Sequence, residues 1–268
     1  MSETDHDAPS SGRSFIADLV MAIRFFSRLP TGPRPHEAPS LNRMAIALPF
    51  ASLLIGLVPA ALLYVLLIAG FPPLFSAVLA AAASAMITGA MSEDAVADAW
   101  DGLFGGSTPE RRLEILKDSR HGTYGVLAIV FVVGMKIAAL SAIAAQSPLA
   151  AAGIWLATTT LARSGSLYVA LALPPARATG AAAAAGQISR NGFTLGLVFS
   201  GVVTFVLAAP FAGLLSLIVA FAIGALLAWG WTRLCDRLVG GQTGDLIGAL
   251  QALLEIALLG AFMRFVTG

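Results

Sequence analysis

The sequence holds one cysteine, Cys235, and three histidines in 268 residues. A disulfide within the chain is excluded, and so is a multi-cysteine zinc site. Charge is scarce: 12% of residues are Asp, Glu, Lys or Arg, against about 25% in soluble domains. The formal net charge is +1, which excludes a strongly basic nucleic-acid binder. The segment Met1–Ser11 has neither the basic start nor the apolar stretch of a secretory signal. Residues 1–12 read as a disordered cytoplasmic tail, and residues 13–268 as a single helical integral-membrane domain whose first span acts as the insertion signal.

What is abundant is apolar sequence: 57% of residues, with a mean hydropathy of +0.84. Runs near the length of about 20 residues needed to cross a bilayer cover Ala45–Gly70, Leu74–Met91, Tyr124–Ala145, Leu149–Leu173, Phe193–Ala209, Phe211–Trp231 and Leu246–Val266. The fold class is therefore all-α, a polytopic helical membrane protein with six to seven transmembrane helices. Upstream, the stretch Phe15–Phe26 mixes apolar positions with Asp18 and Arg24 and suits a helix lying in the headgroup region. Pro210 marks the expected break between spans five and six.

Basic residues sort by loop. Arg13, Arg24, Arg28, Arg34 and Arg43 precede span one; Arg111, Arg112, Lys117 and Arg120 follow span two; Arg177 and Arg190 follow span four; Arg233 and Arg237 follow span six. The intervening connections carry no charge, so the positive-inside rule places the N-terminus and the charged loops on the cytoplasmic side. Lys136 and Arg163 fall within spans, where snorkelling or a slightly shifted span would bring their charges to an interface.

The acids are concentrated: seven of 15 lie between Glu93 and Asp118. On a helix, Asp94, Asp98 and Asp101 fall within roughly 60° of arc, with Glu93 flanking them. Carboxylates roughly 6 Å apart repel by about 3 kcal/mol per pair at an effective dielectric of about 20. A divalent cation offsets that, and oxygen ligands select Mg²⁺ or Mn²⁺ over zinc. A solvated acidic helix end is the bland reading, but acids continuing a span point to function. Downstream, Lys117, Asp118, Ser119 and Arg120 run into Gly122-Thr-Tyr-Gly125, and the cations suit phosphate oxygens. His121 beside Arg120 reads as a bystander. A third piece, Gly240-Gly-Gln-Thr-Gly-Asp245, lets a backbone approach a ligand closely and adds Thr243 and Asp245; Gly241 and Gly244 join Thr243 as expected substrate contacts.

Together with Arg24-Phe-Phe-Ser-Arg-Leu-Pro30, the acidic block 93–106, the stretch Leu113–Val126 and Gly240–Asp245 resemble the cobalamin synthase, or adenosylcobinamide-GDP ribazoletransferase, family. The resemblance implies an Mg²⁺-dependent enzyme of late vitamin B12 assembly. Such an enzyme joins adenosylcobinamide-GDP to α-ribazole or its 5′-phosphate and releases GMP. On it, Glu93, Asp94, Asp98, Asp101 and Asp245 would hold one or two metal ions. Asp94, Asp98, Asp101, Lys117, Asp118 and Arg120 would form the catalytic set, with Asp118 one candidate base. Small-molecule substrates and the lipid bilayer are the implied partners, without nucleic acid, and homo-oligomerisation is left open. The sequence departs from the family's acidic motif at Ser92, where that motif begins with histidine, and at Ala95, where glycine is usual; His121 replaces an aliphatic residue. The rival readings are a membrane transporter, which would place acids near the bilayer midplane on repeated halves, and a CDP-alcohol-type phosphotransferase. Against the latter, Asp101-Gly102 continues into Leu-Phe-Gly-Gly instead of the required Ala-Arg.

Overall fold

A computed structural model describes residues 14–32, 38–118, 120–177 and 185–266. The expected N-terminal tail, with Arg13, and the positions of Arg34 and Ser119 lie outside the described residues. The named elements among the described residues are helices: α1 Phe15–Phe26, α2 Leu41–Ile68, α3 Pro73–Thr88, α4 Met91–Gly105, α5 Pro109–Ile115, α6 Thr123–Gln146, α7 Pro148–Ser166, α8 Tyr168–Ala172, α9 Arg190–Val239 and α10 Gly244–Met263. Helices α2, α6, α9 and α10 are long and apolar enough to cross a membrane, and α3 with α4 qualifies as one broken span. Their outward faces are apolar, with Leu57, Val130, Phe131, Leu214, Ile218 and Leu226 exposed, as a lipid-facing surface requires.

Local sequence sets the helix ends. Ser40, Thr108, Ser147, Ser189 and Thr243 each accept a backbone N–H of the first turn of the helix that follows, satisfying donors that have no partner within the helix. Helix α1 lies against α2, burying Met21, Ala22 and Phe26 while Phe15 and Ile16 stay exposed; Arg43 of α2 donates to Asp18 at 2.8 Å. Between α3 and α4 the left-handed pair Gly89 and Ala90 bends the chain by 85°.

Two expectations need correction. Helix α9 has 50 residues and straight would measure about 75 Å, yet the Phe221 ring packs against Gly201, so the helix doubles back. The reversal is at Gly213 (φ 75°, ψ 171°), with Pro210 inside the preceding arm. Proline cannot take the positive φ that the reversal needs, whereas glycine takes it without a steric cost. The second correction concerns Lys136 and Arg163, which do not snorkel: they are 5% and 3% exposed inside the bundle. The Lys136 ammonium bridges Glu93 of α4 at 3.1 Å and Glu255 of α10 at 2.7 Å. The Arg163 guanidinium adds its field at both acids and lies 5.8 Å from the centre of the Phe26 ring. Two acids and two bases thus neutralise one another, which is the condition for burying charge in a membrane.

Candidate active site

The site forms at the end of the bundle where α4 and α9 finish and α6 and α10 begin. Trp100 of α4 stacks on Trp231 of α9 at 5.4 Å, and the Trp231 indole N–H donates to the Leu246 carbonyl of α10 at 2.9 Å. Ala95 faces Gly248 so closely that a Cβ on Gly248 would lie 2.6 Å from that of Ala95. A glycine on α10 thus makes room for the Ala95 methyl on α4. These contacts hold α4 against α9 and α10 and give its acids fixed directions.

The carboxylate stripe divides in three. Asp94 and Asp98 face the aqueous end with His121, whose Nε2 lies 3.8 Å from Asp94 Oδ1 and whose Nδ1 lies 3.7 Å from Asp98 Oδ1. One ligand atom from each of the three falls within 4.8 Å of the others. Asp98 also lies in the fields of Asp245 and Asp101, so four carboxylates concentrate negative charge here.

Asp101 points elsewhere. It is 7% exposed and accepts the backbone N–H of Gly122 at 2.6 Å and of Gly125 at 2.9 Å, placing a carboxylate on the positive end of α6. The Gly-Thr-Tyr-Gly turn has its glycines for this reason: a Cβ on Gly125 would sit 2.4 Å from Asp101 Oδ2, and one on Gly122 2.6 Å from Oδ1. The same tether brings His121, the residue before Gly122, over Asp94 and Asp98. Glu93, expected as a metal ligand, is turned into the bundle and accepts from Lys136 at 3.1 Å and from Ser92 at 3.0 Å. Ser92, in place of the family histidine, is buried and contributes a hydroxyl to that ion pair.

The other expected residues separate in the same way. Lys117 is exposed. Arg120 donates twice to Asp118, at 3.0 and 2.7 Å; these bonds lower the Asp118 carboxyl to a pKa of about 2 and raise that of Arg120. Asp118 is therefore a poor proton acceptor near neutrality. Arg112 donates to the carbonyls of Leu103 and Leu238, each at 3.1 Å, while Arg111 pairs with Glu114 at 2.8 Å. Thr243 caps α10 and approaches Asp245 at 3.4 Å. Gly241 serves packing, because a Cβ there would lie 2.7 Å from Ala176 Cα and from the Pro174 carbonyl oxygen. Gly244 is exposed with open space around it. Among the residues discounted from sequence, His121 enters the cluster; its signal was its position directly before the glycine that binds Asp101.

This is a polytopic helical membrane protein with an acidic site at one end of its bundle, where Asp94, Asp98 and His121 converge. Residues 18–263 match the family model described as cobalamin-5-phosphate synthase. The chain is 40% identical over 248 residues to an adenosylcobinamide-GDP ribazoletransferase of Azorhizobium caulinodans, covering 91% of this chain and 94% of the relative. It is 41% identical over 253 residues to the protein of that name from Brucella anthropi, covering 92% and 96%. The chain belongs to the cobalamin-5-phosphate synthase family and is a transferase of cobalamin biosynthesis. No solved structure matches it.

Proposed function

We propose that this chain is an adenosylcobinamide-GDP ribazoletransferase acting at the cytoplasmic face of a bacterial inner membrane. The observation that carries the reading is the convergence of Asp94, Asp98 and His121, in a chain matching that family along nearly its whole length. The ribose hydroxyl of α-ribazole, or of its 5′-phosphate, forms a new P–O bond to the cobinamide-linked phosphorus. The phosphoanhydride bond breaks, GMP departs, and the hydroxyl proton is released.

One ligand atom from each of Asp94, Asp98 and His121 lies within 4.8 Å of the others, and two ligands at about 2.1 Å span up to about 4.2 Å, so a side-chain shift of a few tenths of an ångström fits these oxygen and nitrogen donors to a divalent cation. Asp94 and Asp98 would hold Mg²⁺ or Mn²⁺ with His121, and Asp245 adds negative charge beside them. When bound, such an ion supplies charge stabilisation to the transferred phosphoryl group and the departing phosphate. Asp101 orients α4 against α6, and Glu93 does so through Lys136. Lys117 is an exposed cation free to approach phosphate oxygens, whereas Arg120 carries Asp118 with it. The buried charges, which a transporter reading would invoke, are matched two against two and leave no net charge to move.

Purified protein in detergent, given adenosylcobinamide-GDP and α-ribazole with Mg²⁺, should form adenosylcobalamin and GMP in equal amounts and stop when EDTA is added. Folded protein that forms neither product would overturn the reading.

A further inference from the structure

The acidic end of the bundle attracts cations, but the proposed substrate is a pyrophosphate, and four carboxylates repel it. A fixed positive group must face the anion. Arg112 is tied to two carbonyls, Arg111 to Glu114 and Arg120 to Asp118, so none of the three presents an uncommitted guanidinium. Arg177 differs. The loop after α8 pairs with the loop before α10 through a bridge between Pro175 and Gln242. Ala176 N–H donates to the Gln242 carbonyl at 2.9 Å, and Gln242 N–H to the Pro174 carbonyl at 2.8 Å. This pairing brings Arg177 near enough to Asp245 for its charge to act on that carboxylate. One guanidinium nitrogen, Nη2, donates to the Leu113 carbonyl at 2.7 Å, which orients the group. Its Nε is buried and has no hydrogen-bond partner among the described residues. In the paired loop the Gln242 side chain is 1% exposed, and both its amide atoms also lack partners among the described residues. A buried donor without a partner is a position that a water or a ligand oxygen can complete, and an oriented guanidinium is the side chain best matched to phosphate oxygens.

We propose that Arg177, held by the paired loops 174–177 and 240–243, binds an anionic oxygen of the substrate's pyrophosphate next to the acidic cluster. The inference rests on the phosphotransferase reading, but its test does not require turnover. Inorganic pyrophosphate binding would be measured by calorimetry on detergent-solubilised protein with and without Mn²⁺, alongside Mn²⁺ binding alone by electron paramagnetic resonance. Arg177→Gln should weaken pyrophosphate binding at least about tenfold, the scale of one lost charged hydrogen bond. Mn²⁺ binding should be unchanged or tighter, because a positive charge next to Asp245 has gone. Arg177→Lys, which keeps the charge, should recover most of the pyrophosphate affinity.

A loop-anchoring role would weaken both ligands together, and that result would overturn the proposal. Unchanged pyrophosphate binding in Arg177→Gln would overturn it too, as would a wild type that binds no pyrophosphate in the presence of Mn²⁺. If the wild type makes no product yet Arg177→Gln loses pyrophosphate, the transferase reading fails and the anion site stands.

Discussion

Replacing Lys136 by methionine tests whether the intramembrane charge cluster holds the site together. The ammonium sits 3.1 Å from Glu93 and 2.7 Å from Glu255. At an effective dielectric of about 20 each attraction is roughly 5–6 kcal/mol, largely offset by the cost of removing the ions from water. The net value of the pair is therefore small, but removing one partner is not. Methionine fills the volume and leaves two buried carboxylates facing Arg163 alone, and uncompensated buried charge costs about 3–5 kcal/mol. For a chain of this size a kcal/mol corresponds to about 2–4 °C, so the midpoint of heat inactivation in detergent should fall by roughly 6–20 °C. The double variant Lys136→Met with Glu93→Gln leaves Glu255 balanced by Arg163 and should regain at least half of the loss. Size-exclusion chromatography of heated samples reads both. A single variant melting within about 3 °C of wild type, or a double variant no better than the single, would refute the reasoning.

Three further outcomes are expected. Gly125→Ala should drive Asp101 from the start of α6, since the new methyl would lie 2.4 Å from its Oδ2 and 2.8 Å from the Ala97 carbonyl oxygen. Loss of that charged cap is worth about 1.5–3 kcal/mol, and both melting temperature and product formation should fall. His121→Ala should weaken Mn²⁺ binding more than Mg²⁺ binding, because an imidazole nitrogen favours the transition ion; equal losses in a competition titration would place His121 outside the metal's ligand set. Asp118→Asn should leave the pH–rate profile between pH 5 and 9 unchanged in shape. The group is ionised throughout that window, its pair with Arg120 being fully formed above the ordinary carboxyl range and lost only as pH falls through about 2. A changed limb in that window would return Asp118 to the list of candidate bases.

Hydropathy and charge placement determined by themselves that this chain is helical and membrane-embedded, because lipid admits long apolar helices and rejects unpaired charge. The long apolar helices, the helix Phe15–Phe26 and the placing of Asp94, Asp98 and Asp101 on one helix were legible from spacing alone. The partners of those side chains were not. Helical phase gives a direction around an axis and says nothing of what stands opposite. Only the tertiary structure decided that Asp101 meets the amides of Gly122 and Gly125, that Glu93 meets Lys136, and that His121 closes over Asp94 and Asp98. The reversal of α9 falls at Gly213, three residues after the proline that marked it in the sequence, because backbone handedness and not the loss of a donor lets the chain turn. Lys136 and Glu255 lie 119 positions apart in sequence, and Arg177 and Asp245 are separated by the whole of α9. Neither pairing has a local signature, since each exists only through the packing of helices that the bilayer leaves free to choose their neighbours.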